Sequence, residues 1–138
     1  MRVALRELAQ QADPKRAIFE ALGDLSWYEP FHNLVLIGTY IRPEKIGSII
    51  RPDKSVAEDR FQGIAGLVLR IGPGAFKDEG HIKFYGVSVK EGDWIVFRPS
   101  DAIEQFIRKQ GTVNDGVSCR LIEDSHIKGR VDDPSRIY

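Results

Sequence analysis

Apolar residues in the first 25 positions recur at the three- and four-residue spacing of one helix face. Asp13 followed by Pro14 supplies an N-cap and a proline at the first helical position, and Gly23 stands where helices commonly end. The pattern therefore predicts two short amphipathic helices, or one helix kinked at Pro14. The apolar stripe consists of Leu5, Leu8, Ala9, Ala12, Ile18, Leu22 and Leu25.

Beyond residue 30 the apolar residues form short runs rich in β-branched and aromatic side chains, separated by Gly-, Pro-, Asn- and Asp-containing turns. Turns at such intervals favour a sandwich or a small barrel over alternating strands and helices. We therefore predict a mainly β fold, a small β-barrel with a helical extension at its amino terminus. The predicted strands are residues 34–37, 64–71, 82–89 and 94–97.

Residues 42–62 depart from this pattern of short strands and turns. The stretch is polar and contains prolines, and the apolar pair Ile49-Ile50 is isolated near its middle. A loop of this length is long for a compact domain and is usually functional or disordered. Two interpretations are open. Both isoleucines fold back onto the barrel, or the segment is a mobile arm that becomes ordered in a partner's groove.

Composition and charge narrow the classes of partner. The chain of 138 residues has 20 basic and 20 acidic groups, with 42% hydrophobic and 29% charged residues, which is typical of one globular domain. The basic excess of nucleic-acid and membrane-surface binders is absent. The longest purely apolar run, residues 34–37, is too short to span a bilayer, and no signal-peptide core is present, so we expect a cytoplasmic protein.

Catalytic signatures are missing from the sequence. Cys119 is the single cysteine and fits a buried strand position, and the three histidines lie on separate predicted elements. The Gly-Pro-Gly at residues 72–74 lacks the other features of a nucleotide-binding loop and is interpreted as a turn. We therefore expect no catalytic residue, no metal and no cofactor, and a role in binding or assembly.

Four segments, in order, resemble co-chaperonins of the GroES type. No single segment is decisive, but their order and the long polar loop between the first two are hard to obtain by chance. The similarity covers residues 30–131, with residues 1–29 as an extension and 132–138 as a tail. The segments are residues 30–37 (Pro-Phe-His-Asn-Leu-Val-Leu-Ile), 66–74 (Gly-Leu-Val-Leu-Arg-Ile-Gly-Pro-Gly), 89–97 (Val-Lys-Glu-Gly-Asp-Trp-Ile-Val-Phe) and 114–127.

The resemblance implies a GroES-like β-barrel in a seven-membered homo-oligomeric ring that closes the chamber of an ATP-driven chaperonin. It implies that residues 42–62 are the mobile loop that docks on the apical domain of the chaperonin. It also implies subunit contacts through the first and last strands of adjacent barrels. The residues concerned are Gly47, Ser48, Ile49, Ile50 and Arg51 for chaperonin binding, and Leu34, Leu36, Val117 and Leu121 for the subunit interface.

Several features depart from the family pattern. Arg51 stands where the family's docking tripeptide usually ends in an aliphatic residue, and both termini are extended. Such divergence looks like phage-encoded relatives, some of which serve capsid assembly. The alternative function is therefore a phage structural or head-decoration protein, associated with the virion, whose amino-terminal apolar stripe binds a capsid surface. The competing interpretation of that stripe is that it packs on the chain's own barrel.

Overall fold

A computed structural model describes residues 13–41, 64–78, 80–113 and 115–137. The described chain forms one short α-helix, six strands and three single-turn 3-10 helices. The elements are α1 (Pro14–Leu22), β1 (Leu34–Thr39), β2 (Ala65–Ile71), β3 (Trp94–Phe97), β4 (Ala102–Arg108), β5 (Gly116–Glu123) and β6 (Ile127–Val131), with 3-10 turns at Pro99–Asp101, Asp124–His126 and Pro134–Arg136.

All six strands belong to one antiparallel sheet, in the order β4-β5-β1-β2-β3-β6. The strand β1 pairs with β5 on one side and β2 on the other. The sheet is open, with β4 and β6 as its edges. The prediction of a mainly β fold with an amino-terminal helix is therefore confirmed.

The helix α1 begins and ends where the sequence predicts. The Asp13 side chain accepts a hydrogen bond from the Arg16 backbone N–H at 3.2 Å, Pro14 occupies the first turn, and Gly23 follows the last residue with a φ of 69°. The left-handed conformation at Gly23 costs a glycine little, which explains the stop. No helix in the described part of the chain is long and apolar enough to cross a membrane.

Both faces of the sheet are buried at its centre. Side chains of β1 alternate between two clusters, with Leu36 in the cluster on the helix side and Val35 and Ile37 in the cluster on the opposite side. The helix-side cluster consists of Ile18, Ala21, Leu22, Leu25, Leu36, Tyr40, Ala65, Leu67, Leu69, Trp94, Ile107, Val117 and Cys119. The opposite cluster consists of Val35, Ile37, Val68, Ala75, Ile95, Phe97 and Ile122.

The helix packs closely on the centre of the sheet because β1 has no side chain at Gly38. A Cβ atom built at Gly38 would lie 3.0 Å from Cγ2 of Ile18, closer than nearly all real contacts. Ile18 is fully buried at this point. The competing interpretation of the apolar stripe, packing on the chain's own sheet, therefore holds for Ile18 and Leu22, while Leu5 and Leu8 lie outside the described residues.

The turn predicted at residues 72–74 is confirmed, and the structure gives its reason. The N–H groups of Gly72 and Gly74 donate to the backbone oxygens of Leu34 and His32, both at 2.7 Å. A Cβ atom on Gly72 would come within 2.6 Å of the His32 oxygen. Glycine is required at residue 72 because the turn lies against the backbone of residues 31–34, which leaves no room for a Cβ atom.

The prediction of a strand at residues 82–89 is wrong, since this segment has a bend, a turn and irregular backbone instead. The cause is Asp78, whose carboxylate accepts hydrogen bonds from four successive backbone N–H groups, those of residues 82 to 85, at 2.6 to 3.2 Å. These donors are unavailable for a ladder. Desolvation raises the pKa of Asp78, but the four donors together lower it below its ordinary value.

Truncating Ile18 tests the packing of α1 on the sheet. The Ile18→Ala substitution leaves a cavity above Gly38, so we expect the free energy of unfolding to fall by about 2–5 kcal/mol. Phe19, on the same helix, is 37% exposed, and Phe19→Ala should cost less than about 1 kcal/mol. Urea unfolding of both variants measures the difference, and equal losses would show that Ile18 does not pack as described.

Candidate functional site

The predicted chaperonin-binding residues Gly47, Ser48, Ile49, Ile50 and Arg51 lie outside the described residues. The structure does describe the two ends of the segment that carries them. The backbone N–H of Tyr40 donates to the oxygen of Ala65 at 3.0 Å. The oxygen of Ile64 accepts a hydrogen bond from Phe97 at 2.9 Å. The segment therefore leaves β1 and returns to β2 at adjacent points of one ladder.

A buried aromatic pair lies beneath these two ends. Tyr40 is fully buried, and its ring meets that of Trp94 edge to face, with centroids 5.5 Å apart and an interplanar angle of 79°. Such pairs add about 0.5–1.5 kcal/mol beyond burial of their area. Because Tyr40 and Trp94 both belong to the helix-side cluster, the base of the segment is part of the core.

The four predicted subunit-interface residues fall into two groups. Leu36 is fully buried and Val117 is 7% exposed, and both belong to the helix-side cluster of a single chain. Leu34 and Leu121 are half-buried and retain surface for a contact. The strands β1 and β5 pair with each other, with Leu36 opposite Leu121, so their backbone groups on that side are already used within the chain. The interface itself stays a prediction.

Leu34 and Leu121 meet at the surface in a groove of about 350 Å³. We call it the aromatic groove because the large exposed rings of Trp27 and Phe31 stand along it, 62% and 60% exposed. Exposed aromatic side chains next to half-buried leucines are typical of protein–protein contacts. The aromatic groove is lined by Trp27, Tyr28, Glu29, Pro30, Phe31, Leu34 and Leu121.

Tyr28 holds the wall of the aromatic groove in place from two sides. Its hydroxyl donates to the side chain of Gln105 in β4, and its backbone oxygen accepts a hydrogen bond from Nε of Arg70 in β2 at 3.2 Å. Burial raises the pKa of Tyr28, and the hydrogen bond to Gln105 lowers it by less, so the phenol stays protonated at neutral pH. The rings of Trp27 and Phe31 therefore flank a fixed tyrosine.

A second, larger cleft of about 490 Å³ lies between the segment after β2 and β6. The rings of Phe76 and Phe84 form one wall, with centroids 5.3 Å apart, and Nζ of Lys83 lies 5.1 Å from the Phe84 ring. Asp124 reaches the cleft but is 2% exposed, and its carboxylate accepts hydrogen bonds from the Phe76 N–H at 2.9 Å and the Asn33 amide at 3.0 Å. Asp124 therefore fixes the turn after β2.

Groups that could carry chemistry lie apart in the described part of the chain. Cys119 is fully buried in β5, as predicted, and desolvation raises the pKa of its thiol far above the ordinary value. Nδ1 of His126 lies 3.8 Å from a carboxylate oxygen of Glu123 in a partly exposed pair. Across residues 13–41, 64–78, 80–113 and 115–137, no three His, Cys, Asp or Glu side chains are grouped to hold a metal ion.

Neither a scan against protein-family models nor a search of curated proteins finds a match for this chain. Inference about its function therefore depends on its residues and on the geometry of the sheet. Two features of that geometry point to binding partners: the anchored base of residues 42–63 and the aromatic groove. Sequence analysis predicted residues 42–62 as a possible binding arm and did not identify the aromatic groove, whose lining combines residues 27–31 and 34 with Leu121.

Thiol labelling tests the burial of Cys119. A protonated thiol inside β5 offers little thiolate for attack, so we expect a disulfide reagent at pH 8 to modify the native protein at least about a hundredfold more slowly than the urea-unfolded protein. Rapid, stoichiometric labelling of the native protein would contradict this placement.

Proposed function

We propose that the chain is a co-chaperonin of the GroES type, a ring subunit that closes the chamber of an ATP-driven chaperonin and carries out no catalysis. The observation that carries the proposal is the anchored base of residues 42–63. Tyr40 and Ala65 bring the two ends of the segment together over a buried aromatic pair. This arrangement suits an arm that must present Ile49 and Ile50 to a partner without disturbing the fold.

The curl of the sheet supports the GroES-like barrel in this proposal. Ala102, at the start of β4, and Ile127, at the start of β6, pack against the same cluster although they belong to opposite edges of the sheet. The pKa of Asp101 is lowered, chiefly by its hydrogen bonds to Arg98 and in smaller part by the nearby charges of His126 and Lys128. The two edges therefore approach each other around the second cluster.

A small aliphatic anchor suits a lid that must bind and release. Burying two isoleucines in an apolar groove contributes a few kcal/mol, of which the ordering of the arm consumes a part. Arms linked in a ring turn later contacts into intramolecular events, so many weak contacts give a stable complex. Arg51 can take part by packing its aliphatic stem on the groove while its guanidinium stays in water.

The proposed neighbour in the ring binds at the aromatic groove. Leu34 and Leu121 are the two predicted interface residues that keep exposed surface, and Trp27 and Phe31 add two large apolar rings beside them. A closed ring needs a heterologous contact in which this surface meets a different surface of the next copy. The copy number of seven comes from the family resemblance.

The alternative function, binding of a phage capsid surface, has lost part of its support. Its motivation included the apolar stripe of the amino-terminal helices, and two members of that stripe, Ile18 and Leu22, are buried against the sheet. They are therefore unavailable to a capsid. Leu5 and Leu8 lie outside the described residues, and Arg51 remains a departure from the family pattern.

The loop is tested by removing its aliphatic anchor. We expect the double variant Ile49→Ser, Ile50→Ser to assemble normally but to lose binding to a bacterial chaperonin in the presence of ATP or ADP, by at least about a hundredfold. Val56→Ser removes a different apolar residue of the same segment and should bind as the wild type does. Gel filtration and native mass spectrometry report the complex, and unchanged binding of the double variant would refute the docking role.

The aromatic groove is tested by placing a charge in it. Phe31→Asp changes a side chain that is 60% exposed, so the fold should be retained while assembly of the ring is lost. Val113→Asp is the matched control, because Val113 is 74% exposed and does not line the groove. Sedimentation velocity distinguishes the two, and an intact ring in Phe31→Asp would exclude the groove as the subunit contact.

A further inference from the structure

One edge of the sheet, β4, has backbone groups whose direction the structure fixes. The strand pairs antiparallel with β5, with Phe106 opposite Ser118 and Ile107 opposite Val117. At the end of this ladder the N–H of Lys109 donates to the oxygen of Asp115 at 2.9 Å. Since hydrogen-bonding direction alternates along a strand, the odd-numbered residues of β4 point their N–H and C=O groups toward β5.

The even-numbered residues therefore point their backbone groups to the outer edge of the sheet. These residues are Glu104, Phe106 and Arg108, and all three side chains are exposed, that of Phe106 by 42%. They lie on one face of the strand, with the aromatic ring between an acidic and a basic group. Within the part of the chain that the structure describes, β4 pairs with β5 alone.

We propose that β4 is a dimerisation edge, at which a second copy of the chain adds its own β4 in antiparallel orientation about a two-fold axis through Phe106. In this register Glu104 lies opposite the partner's Arg108, and Arg108 lies opposite the partner's Glu104. The two Phe106 rings are opposite each other at the axis. The pairing joins two six-stranded sheets into one continuous sheet.

Charge complementarity and backbone direction together select this register. Two outward-pointing sets of N–H and C=O groups can pair only if even-numbered residues of one copy face even-numbered residues of the other. A shift by two residues in either direction keeps this parity but places the Phe106 ring opposite Glu104 or Arg108. Both ion pairs and the pair of rings are then lost. In the register centred on Phe106, the outward backbone groups are paired, opposite charges face each other and the two aromatic rings are opposite each other.

The proposed contact goes beyond the co-chaperonin function and differs from a ring contact in symmetry. A two-fold contact uses the same surface on both copies, whereas a closed ring of more than two copies needs two different surfaces. The β4 edge and the aromatic groove can therefore act together, and pairing through β4 would join two rings. Exposed edge strands in monomeric proteins are normally protected from pairing by their charges, and the charges here complement each other instead.

Two charge-reversal variants of β4 test the proposed contact, because each should pair with the other in preference to itself. Glu104→Arg gives an edge with two arginines, and Arg108→Glu gives an edge with two glutamates, so each variant alone places like charges opposite each other. We expect each to dimerise roughly tenfold or more weakly than the wild type. An equimolar mixture should form a one-to-one heterodimer, because both cross-strand pairs are then attractive. Glu91→Arg, which changes an exposed turn residue, should dimerise as the wild type does.

Native mass spectrometry of the full-length variants resolves the heterodimer by mass, with circular dichroism confirming that each variant folds. The same mixture is repeated with Phe31→Asp in both chains, which removes the proposed ring contact. Failure of the β4 pairing is then distinguishable from failure of the ring. Absence of a preferred heterodimer, or a chain carrying Phe31→Asp alone that never self-associates, would overturn the proposal.

Amide hydrogen exchange provides the residue-level test. The N–H groups of Gln105 and Ile107 donate toward β5 and should be protected at every protein concentration. The N–H groups of Glu104, Phe106 and Arg108 should exchange rapidly in dilute protein and at least about tenfold more slowly at concentrations where the dimer forms. Protection of the even-numbered amides that does not change with concentration would contradict pairing through this edge.

Discussion

The burial of β1 on both faces is the constraint on which the rest of the structure depends. Leu36 faces one cluster, and Val35 and Ile37 face the other, and none of the three side chains has exposed surface. A sheet whose central strand is apolar on both sides needs apolar residues packed against each face. The helix α1 packs on one face through Ile18, and Ala102 of β4 and Ile127 of β6 pack against the cluster on the other face.

This constraint explains where surfaces remain for partners. The centre of the sheet is used by the chain's own core, so the surfaces that we propose for partners lie at its ends and edges: the paired ends at Tyr40 and Ala65, the aromatic groove and the outer edge of β4. Each of these sites is tied to the core by a specific contact. Tyr40 packs on Trp94 beneath the segment, and Tyr28 joins the wall of the groove to β4. The contacts that we propose with partners therefore lie at the periphery of the described core.

Local sequence chemistry predicted those elements whose own residues determine them. Asp13, Pro14 and Gly23 define the helix, and the glycines at residues 72–74 define a turn that only glycine permits. The prediction of a strand at 82–89 failed because a nearby acceptor, Asp78, binds the N–H groups of residues 82 to 85, which the apolar pattern of the segment does not reveal. The strand β4 was missed because an edge strand needs no alternating apolar face, and its residues follow the ladder with β5 instead of their own pattern.

One part of the candidate site could likewise be predicted from the sequence, and the other part could not. A long polar segment with a central isoleucine pair could be identified from the sequence, because its composition differs from its surroundings. The aromatic groove could not, because Trp27 and Leu121 are nearly a hundred positions apart and meet only through the pairing of β1 with β5. Long-range contacts of this kind are a property of topology, which local patterns do not encode.

Residue-level native-state hydrogen exchange as a function of denaturant tests most directly whether the helix and the sheet form one core. If α1 covers the centre of the sheet as described, the amides of α1 and β1 will show the same opening free energy and the same dependence on denaturant. If α1 amides exchange through openings that leave β1 protected, at a free energy several kcal/mol lower, the helix is a separate attachment and the account of a shared core is contradicted.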